Sequence, residues 1–327
     1  MKLRQKHETI LDKIGHTPLV KLQRLCPNPN VNILVKLEFL NPGSSIKDRI
    51  VQYIIDDAER RGLLKPGGTI IENTSGNTGA AVAMIAAIRG YKAILTMPDK
   101  VSKEKQNTLK AFGAEIVITP TSAKPDSPEH YVNLAKKLEK ETPNSFRVNQ
   151  YDNPLNPEAH YQTTGPEIWS QCNGDIDYFI SSASTGGTIS GVGKYLKEKN
   201  PNIKVMMPDP VGSIYYEYFK TRKIPHDGNC NYFLEGIGED HMPKAIDFSF
   251  IDDVIQVTDK DAFRVAVDLA RKEGILAGGS SGANVWAAIE LAKQIKGNAT
   301  IVTVLPDSGI KYLSKIYDDT WIKENIK

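Results

Sequence analysis

Two short runs hold the residues best suited to chemistry. Asn41-Pro42-Gly43-Ser44-Ser45-Ile46-Lys47-Asp48-Arg49 places one lysine in a small-residue turn, and Thr74-Ser75-Gly76-Asn77-Thr78-Gly79 follows as a loop of hydroxyls and amides. A lysine that forms an imine needs a lowered pKa and room for a flat partner, which Gly43, Ser44 and Ser45 permit. The downstream loop suits a carboxylate. Taken alone, Lys47 reads as a solvated lysine at a helix start, since most lysines lie on the surface. Ser75 and Thr78 read equally as helix caps, because a hydroxyl before a helix satisfies its free amides. A bound carboxylate would do the same job at the same place.

A second segment, Ile176-Asp177-Tyr178-Phe179-Ile180-Ser181-Ser182-Ala183-Ser184-Thr185-Gly186-Gly187-Thr188, runs from an apolar strand through a small-residue turn into the helical pattern Ile189 to Lys199. Backbone N–H groups at a helix N-terminus carry partial positive charge and hold a phosphate without lysine or arginine. Glycines and hydroxyls are also what an ordinary strand-to-helix turn needs, so both readings stay open. The loop is not a P-loop, as no Gly-Lys-Ser/Thr follows, and it lacks the G-x-G-x-x-G dinucleotide spacing. A third segment, Leu305-Pro306-Asp307-Ser308-Gly309, follows the apolar strand Thr300 to Leu305. Polar residues at the carboxyl end of a parallel strand face the ligand crevice, where one could meet a ring nitrogen.

Over nearly its whole length the chain resembles the fold-type II pyridoxal-phosphate enzymes of the cysteine synthase and cystathionine β-synthase group. The likeness leans to the cystathionine β-synthase branch through Pro120-Thr121 with Asp126-Ser127-Pro128-Glu129, Asp209-Pro210-Val211-Gly212-Ser213-Ile214, Glu235-Gly236-Ile237-Gly238 and Leu305-Pro306-Asp307-Ser308. The resemblance implies pyridoxal 5'-phosphate as cofactor, with Lys47 as Schiff-base lysine and catalytic base and Asn77 at the phenolic oxygen. Ser184, Thr185, Gly186, Gly187 and Thr188 would hold the phosphate, and Ser308 the pyridine nitrogen. Substrate would meet Thr74, Ser75, Gly76, Thr78, Gln150 and Gly236, with Thr74, Ser75, Thr78 and Gln150 holding its carboxylate. Gln150 taken alone reads about equally as a loop amide facing water.

The reaction so implied is β-replacement of serine or an activated serine (O-acetylserine) by homocysteine, through an aminoacrylate, to form cystathionine. The alternative is a cysteine synthase that uses sulfide. Small amino acids are then the partners, and a cytoplasmic homodimer is expected, without haem or adenosylmethionine control. A Ser308 hydroxyl would leave the pyridine nitrogen neutral and favour β-elimination over transamination, whereas Asp307 in its place would keep that nitrogen protonated. The chain departs from the group at two positions: Ser184 replaces the usual glycine, and Glu239 stands where animal and yeast cystathionine β-synthases carry tyrosine. A Glu239 carboxylate near the pocket mouth could meet the distal ammonium of homocysteine. Asp209 and Glu235 read as turn or salt-bridge residues and take no chemical role.

Positioning such loops requires strands alternating with helices. Strands are expected near Ile33 to Leu37, Thr69 to Glu72, Ala93 to Met97, Glu115 to Thr119, Tyr178 to Ser181, Lys204 to Met207, Val254 to Val257 and Thr300 to Leu305. Helices are expected over Ile46 to Arg61, Thr78 to Arg89, Lys103 to Phe112, His130 to Glu141, Pro157 to Cys172, Asp261 to Glu273 and Ala283 to Ile295. This is an α/β pattern of parallel sheets with crossover helices. Thr78 to Arg89, alanine-rich and apolar nearly all round, predicts a helix buried against its sheet. The proline- and asparagine-rich stretch from Thr142 to Pro157 marks a passage between two lobes. The resemblance implies two open-sheet αβα lobes with the cofactor in the cleft between them. Residues 1–47 and 153–327 would make the larger, cofactor-binding lobe and 48–152 the smaller, mobile one.

Composition narrows the partner. Among 327 residues, 41 basic and 39 acidic side chains leave a net charge of +2, so nothing draws the chain to nucleic acid or a membrane surface. No apolar run approaches a membrane span, and the N-terminal residues lack the apolar core of a signal peptide. Cys26, Cys172 and Cys230 form neither a metal motif nor a disulfide framework, and the six histidines show no ligand spacing. Free thiols and no metal are expected.

Overall fold

The computed structural model describes residues 9–74, 76–124, 126–225 and 231–326; Ser75 and Cys230 lie outside them. The chain forms two compact units. Residues 41–155, with the described part of 1–14, make the first, and 15–40 with 156–327 make the second. It opens in the second unit with β1 (Leu19–Lys21) and β2 (Val31–Leu37). The first unit then runs α1 (Lys47–Arg60), β3 (Thr69–Asn73), α2 (Asn77–Arg89), β4 (Lys92–Pro98), α3 (Lys103–Ala111), β5 (Glu115–Thr119), α4 (Tyr131–Glu141) and β6 (Ser145–Arg147). The chain returns through α5 (Leu155–Ala159), α6 (Gly165–Gln171), β7 (Tyr178–Ile180), α7 (Gly187–Lys199), β8 (Lys204–Pro210) and α8 (Tyr215–Thr221). It finishes with β9 (Asp253–Val257), α9 (Asp259–Asp268), α10 (Gly279–Ala292), β10 (Ala299–Leu305) and α11 (Asp319–Asn325).

The first unit is built on a four-stranded sheet, order β5-β4-β3-β6, with every pair parallel. β3 is central and buried along its whole length, which is why Thr-Ile-Ile-Glu-Asn shows no polar alternation. α1 buries Ile50, Val51, Ile54 and Ile55 at helical spacing and packs against α2. In α2 the buried Ala80, Ala81, Ala83 and Ala86 allow close approach, and Gly90 ends the helix in the left-handed conformation.

The second unit carries a six-stranded sheet, order β1-β2-β10-β7-β8-β9, in which only β1 is antiparallel to its neighbour. Residues alternate between its faces, as strand geometry demands. Phe179, Val205, Met207, Val302 and Val304 enter one apolar cluster, while Ile33, Val35, Ile180, Ile301 and Leu305 enter another. Each fully buried side chain of this size contributes about 1.5–3 kcal/mol. Among the described residues, no helix is long and apolar enough to cross a membrane.

All the expected strands and helices form, with three differences. Pro157 to Cys172 is not one regular helix: α5 and α6 flank a widened π turn, His160–Thr164. Pro166 lacks the N–H that would continue the i→i−4 ladder, so the helix rearranges ahead of it. A second π turn, Leu269–Glu273, ends α9. β1 and β6 are three residues each, too short for a period to show. The first passage between units lies at Leu40–Asn41, ahead of Lys47, whereas the sequence reading places it after Lys47. Backbone and carboxylate bonds tie the Asn41–Ser45 turn to α1.

Gly282 of α10 lies so near α9 that a Cβ would overlap Ala262 O. Gly282→Val is expected to cost about 1–3 kcal/mol, read as a lowered denaturant midpoint. Gly297→Ala, with nothing within 4 Å of the added carbon, should shift stability by less than about 0.5 kcal/mol.

Candidate active site

Lys47 begins α1, and the turn before it is closely fixed. Ser44 N–H donates to Asn41 O at 2.7 Å, and Gly43 N–H donates to Asp48 Oδ2 at 2.5 Å. Ser44 sits at φ +60°, a left-handed conformation uncommon outside glycine. Gly43 has no room for a side chain, because a Cβ would overlap the buried Asp48 carboxylate.

Thr74, Gly76, Asn77, Thr78 and Gln150 also belong to the first unit, and Thr78 meets Gln150 there. Gly76 is the N-cap of α2 and has no side chain with which to satisfy the first amides. Thr74 Oγ1 accepts Gly76 N–H at 3.2 Å, and Thr78 Oγ1 donates to Gln150 Oε1 at 2.6 Å. Gln150 is seated by a residue the sequence reading passes over. Glu72, fully buried at the end of β3, accepts Asn149 N–H at 2.7 Å and Gln150 N–H at 3.4 Å. Asn149 takes φ +54°, and Arg147 donates to its Oδ1 at 3.1 Å. Burial pushes the Glu72 carboxyl up to about 7, against the opposing pull of the Asn149 amide and Arg147.

In the second unit the Ser184–Thr188 loop joins β7 to α7. Asn156 Nδ2 donates to Thr185 Oγ1 at 3.0 Å. His160 pairs through Nε2 with Thr188 Oγ1 at 3.1 Å and through Nδ1 with Thr164 Oγ1 at 2.9 Å. The glycines allow this packing: a Cβ at Gly186 would overlap Ile246, at Gly187 Asn156, and at Gly191 Pro157 O. Gly186, at φ +79°, is the N-cap of α7 and offers no side-chain oxygen; Thr185 Oγ1 accepts the first helical amide, Gly187 N–H, at 3.4 Å. Gly238 N–H donates to Ala183 O at 2.6 Å, which brings the Gly236 turn to the same loop. Glu235 is a salt-bridge partner of Lys315 at 2.9 Å.

Ser308 follows β10, the strand beside β7, and its Oγ accepts Ile310 N–H at 3.3 Å. Asp307 is buried and accepts Tyr312 OH at 2.7 Å. Neighbours on extended backbone point to opposite sides, so Ser308 is directed away from the Asp307–Tyr312 pair. Glu239, which the sequence reading offers to the distal ammonium of a second substrate, accepts Ser184 Oγ through Oε1 at 2.6 Å, and its Oε2 lies 3.5 Å from His241 Nδ1.

A family model described as "Pyridoxal-phosphate dependent enzyme" matches residues 10–307. The chain belongs to this family. It is 49% identical to cystathionine beta-synthase of Apis mellifera over 320 residues, 96% of this chain and 62% of that relative. With the same enzyme of Rattus norvegicus it shares 46% identity over 96% of this chain and 56% of the relative, and with that of Dictyostelium discoideum 44% over 97% and 63%. The chain thus spans less than two thirds of the length of these relatives. The crystal structure of O-ureido-L-serine synthase superposes with a TM-score of 0.88 at 35% identity, covering 98% of this chain and 100% of that one.

The cofactor of a pyridoxal-phosphate dependent enzyme brings a phosphate, an aldehyde and a pyridine nitrogen, and the residues present fit it. In the second unit the start of α7, with Thr185 and Thr188 held by Asn156 and His160, could take the phosphate. Ser308 of the same unit could take the nitrogen. Asn156 and His160, four residues apart, carry a helical spacing that sequence reading could have used; Glu72 is legible as a lone carboxylate in an apolar strand. Cys26 Sγ donates to Asn28 O and Val31 O, and burial pushes the Cys172 thiol up to about 11.

Because Glu72 binds its proton more tightly folded than unfolded, its contribution is full below pH 4.5 and is lost as pH rises toward about 7. Relative to Glu72→Gln, the parent should lose up to about 1.4 kcal/mol per pH unit over that window, measured by urea unfolding at successive pH values. Parallel pH profiles for the two proteins would show that Glu72 does not titrate there.

Proposed function

We propose that the chain catalyses β-replacement of serine, or an activated serine such as O-acetylserine, by homocysteine to form cystathionine. The observation that carries the reading is identity of 44–49% to cystathionine beta-synthases over at least 96% of this chain. In this reading Lys47 would hold the cofactor at rest and be released when the substrate amine takes its place, and its freed Nζ would accept the proton from the substrate α-carbon. Bound cofactor supplies an electron sink that acidifies this C–H bond and eases departure of the β-substituent. Asn77 holds the phenolic oxygen. Ser184, Thr185, Gly186, Gly187 and Thr188 bind the phosphate through amides and hydroxyls.

Thr74, Ser75, Thr78 and Gln150 hold the substrate carboxylate, with Gly76 beside it at the start of α2, where the helix dipole favours an anion. Gly236 lines the substrate side, where its left-handed backbone leaves open space beside the α-carbon. Ser308 meets the pyridine nitrogen, since Asp307 is engaged by Tyr312. A hydroxyl there leaves that nitrogen neutral. The larger unit is the cofactor-binding lobe and the smaller one the mobile lobe. The whole acts as a homodimer in the cytoplasm, which rests on the family resemblance.

Borohydride treatment of the holoprotein should fix a pyridoxyl group on the peptide containing Lys47, and Lys47→Ala should abolish turnover; label on another lysine removes the assignment. Product analysis with serine and O-acetylserine, each crossed against homocysteine and sulfide, tests the reaction. Cystathionine should dominate at equal nucleophile concentrations, whereas sulfide outpacing homocysteine would make the protein a cysteine synthase.

A further inference from the structure

The Asp209–Ile214 and Glu235–Gly238 segments and Glu239 converge on a single residue, Ser184, which opens the loop between β7 and α7. Ser184 Oγ donates to Glu239 Oε1 at 2.6 Å, and Ser184 O accepts the hydroxyl of the buried Tyr215. Glu239 is itself fixed at both backbone groups: its N–H donates to Ser213 Oγ at 3.1 Å, and its carbonyl accepts Ile214 N–H at 3.0 Å. Gly238 N–H holds Ala183 O, one residue before Ser184. Asp209 accepts Tyr216 N–H at 2.9 Å and so anchors the start of α8, from which Tyr215 reaches the loop.

Ser184 is therefore gripped by hydroxyl and carbonyl at once. A serine hydroxyl has one proton, and here it goes to a carboxylate whose side chain is only 12% exposed. Ser184 is left with its backbone N–H for a ligand, and the two contacts fix the plane of the adjoining peptides.

We propose that Glu239 is a positioning residue. Through Ser184 Oγ it sets the orientation of the first peptide of the phosphate loop, and with it the retention of the cofactor. This rests on the reading that Ser184–Thr188 bind the phosphate. The geometry favours it over a role in nucleophile recognition, because the carboxylate oxygen nearest the loop is taken by Ser184 and the Glu239 backbone is locked by Ser213 and Ile214.

The test uses holoenzyme and reads cofactor release during dialysis, the 31P resonance of the bound phosphate, and the melting temperature of the apoprotein. A hydrogen bond to a charged acceptor supports an effect of about tenfold or more. Glu239→Ala and Ser184→Ala should each speed release about tenfold and move the 31P resonance. The double variant should be no worse than either single one. Glu239→Gln should restore retention, since an amide oxygen accepts the same hydroxyl. Additive losses, a Glu239→Gln variant as impaired as Glu239→Ala, or losses matched by an equal fall in apoprotein melting would overturn the proposal. Thr185→Val separates it from the reading beneath it. If Thr185→Val leaves retention and the resonance unchanged, the phosphate assignment fails and the proposal with it. If Thr185→Val changes them and Glu239→Ala does not, the proposal alone fails.

Discussion

Helix starts whose own cap residue carries no side-chain oxygen, α2 in the first unit and α7 in the second, are the constraint around which each candidate loop is built. The first N–H groups of any helix lack acceptors within it and carry partial positive charge. Ser102 answers this for α3, Thr258 for α9 and Asp318 for α11 with a side-chain cap. α2 and α7 instead begin after Gly76 and Gly186, which offer no side-chain oxygen. Both helices follow the carboxyl ends of parallel strands, where crossover topology gathers loops. The preceding loop supplies the acceptors in their place, Thr74 Oγ1 for Gly76 N–H and Thr185 Oγ1 for Gly187 N–H.

Both loops are also held from behind. In the first unit that support is a buried carboxylate: Glu72 spends its oxygens on the amides of Asn149 and Gln150, and so places Gln150 against Thr78. In the second unit the support comes from α5 and the π turn after it, where Asn156 and His160 reach Thr185 and Thr188. Burying such polar groups is costly unless each is paired, which explains why the hydroxyls and carboxylates occur as connected sets. Burial also raises Asp209 to about 7, so the carboxylates behind both loops titrate close to neutrality.

Several glycines serve space rather than flexibility. Gly43, Gly187 and Gly191 bring backbone against Asp48, Asn156 and Pro157 with no volume left for a methyl group. At Gly186 both arguments apply, since its φ is positive and Ile246 fills the place of a side chain. The small residues that mark the loops in sequence are thus required by what lies beneath them.

The sequence by itself determined the α/β class, the alternation of strands and helices, and the segments that carry Lys47, Asn77, Ser184 and Ser308. These follow from short-range physics: apolar periodicity, glycine punctuation and the residue types that each chemistry requires. The buried α2 helix was legible because its alanine-rich pattern has only one solution. Tertiary structure alone decided which side chains hold those segments. Glu72 reaches Asn149 across the sheet, Tyr215 reaches Ser184 from another helix, and Asp307 turns to Tyr312 so that Ser308 is left for other work. It also gave Glu239 a contact with Ser184. Hydrogen bonds between residues far apart in the chain depend on strand order and on the exact path of each turn, and neither leaves a periodic trace in sequence.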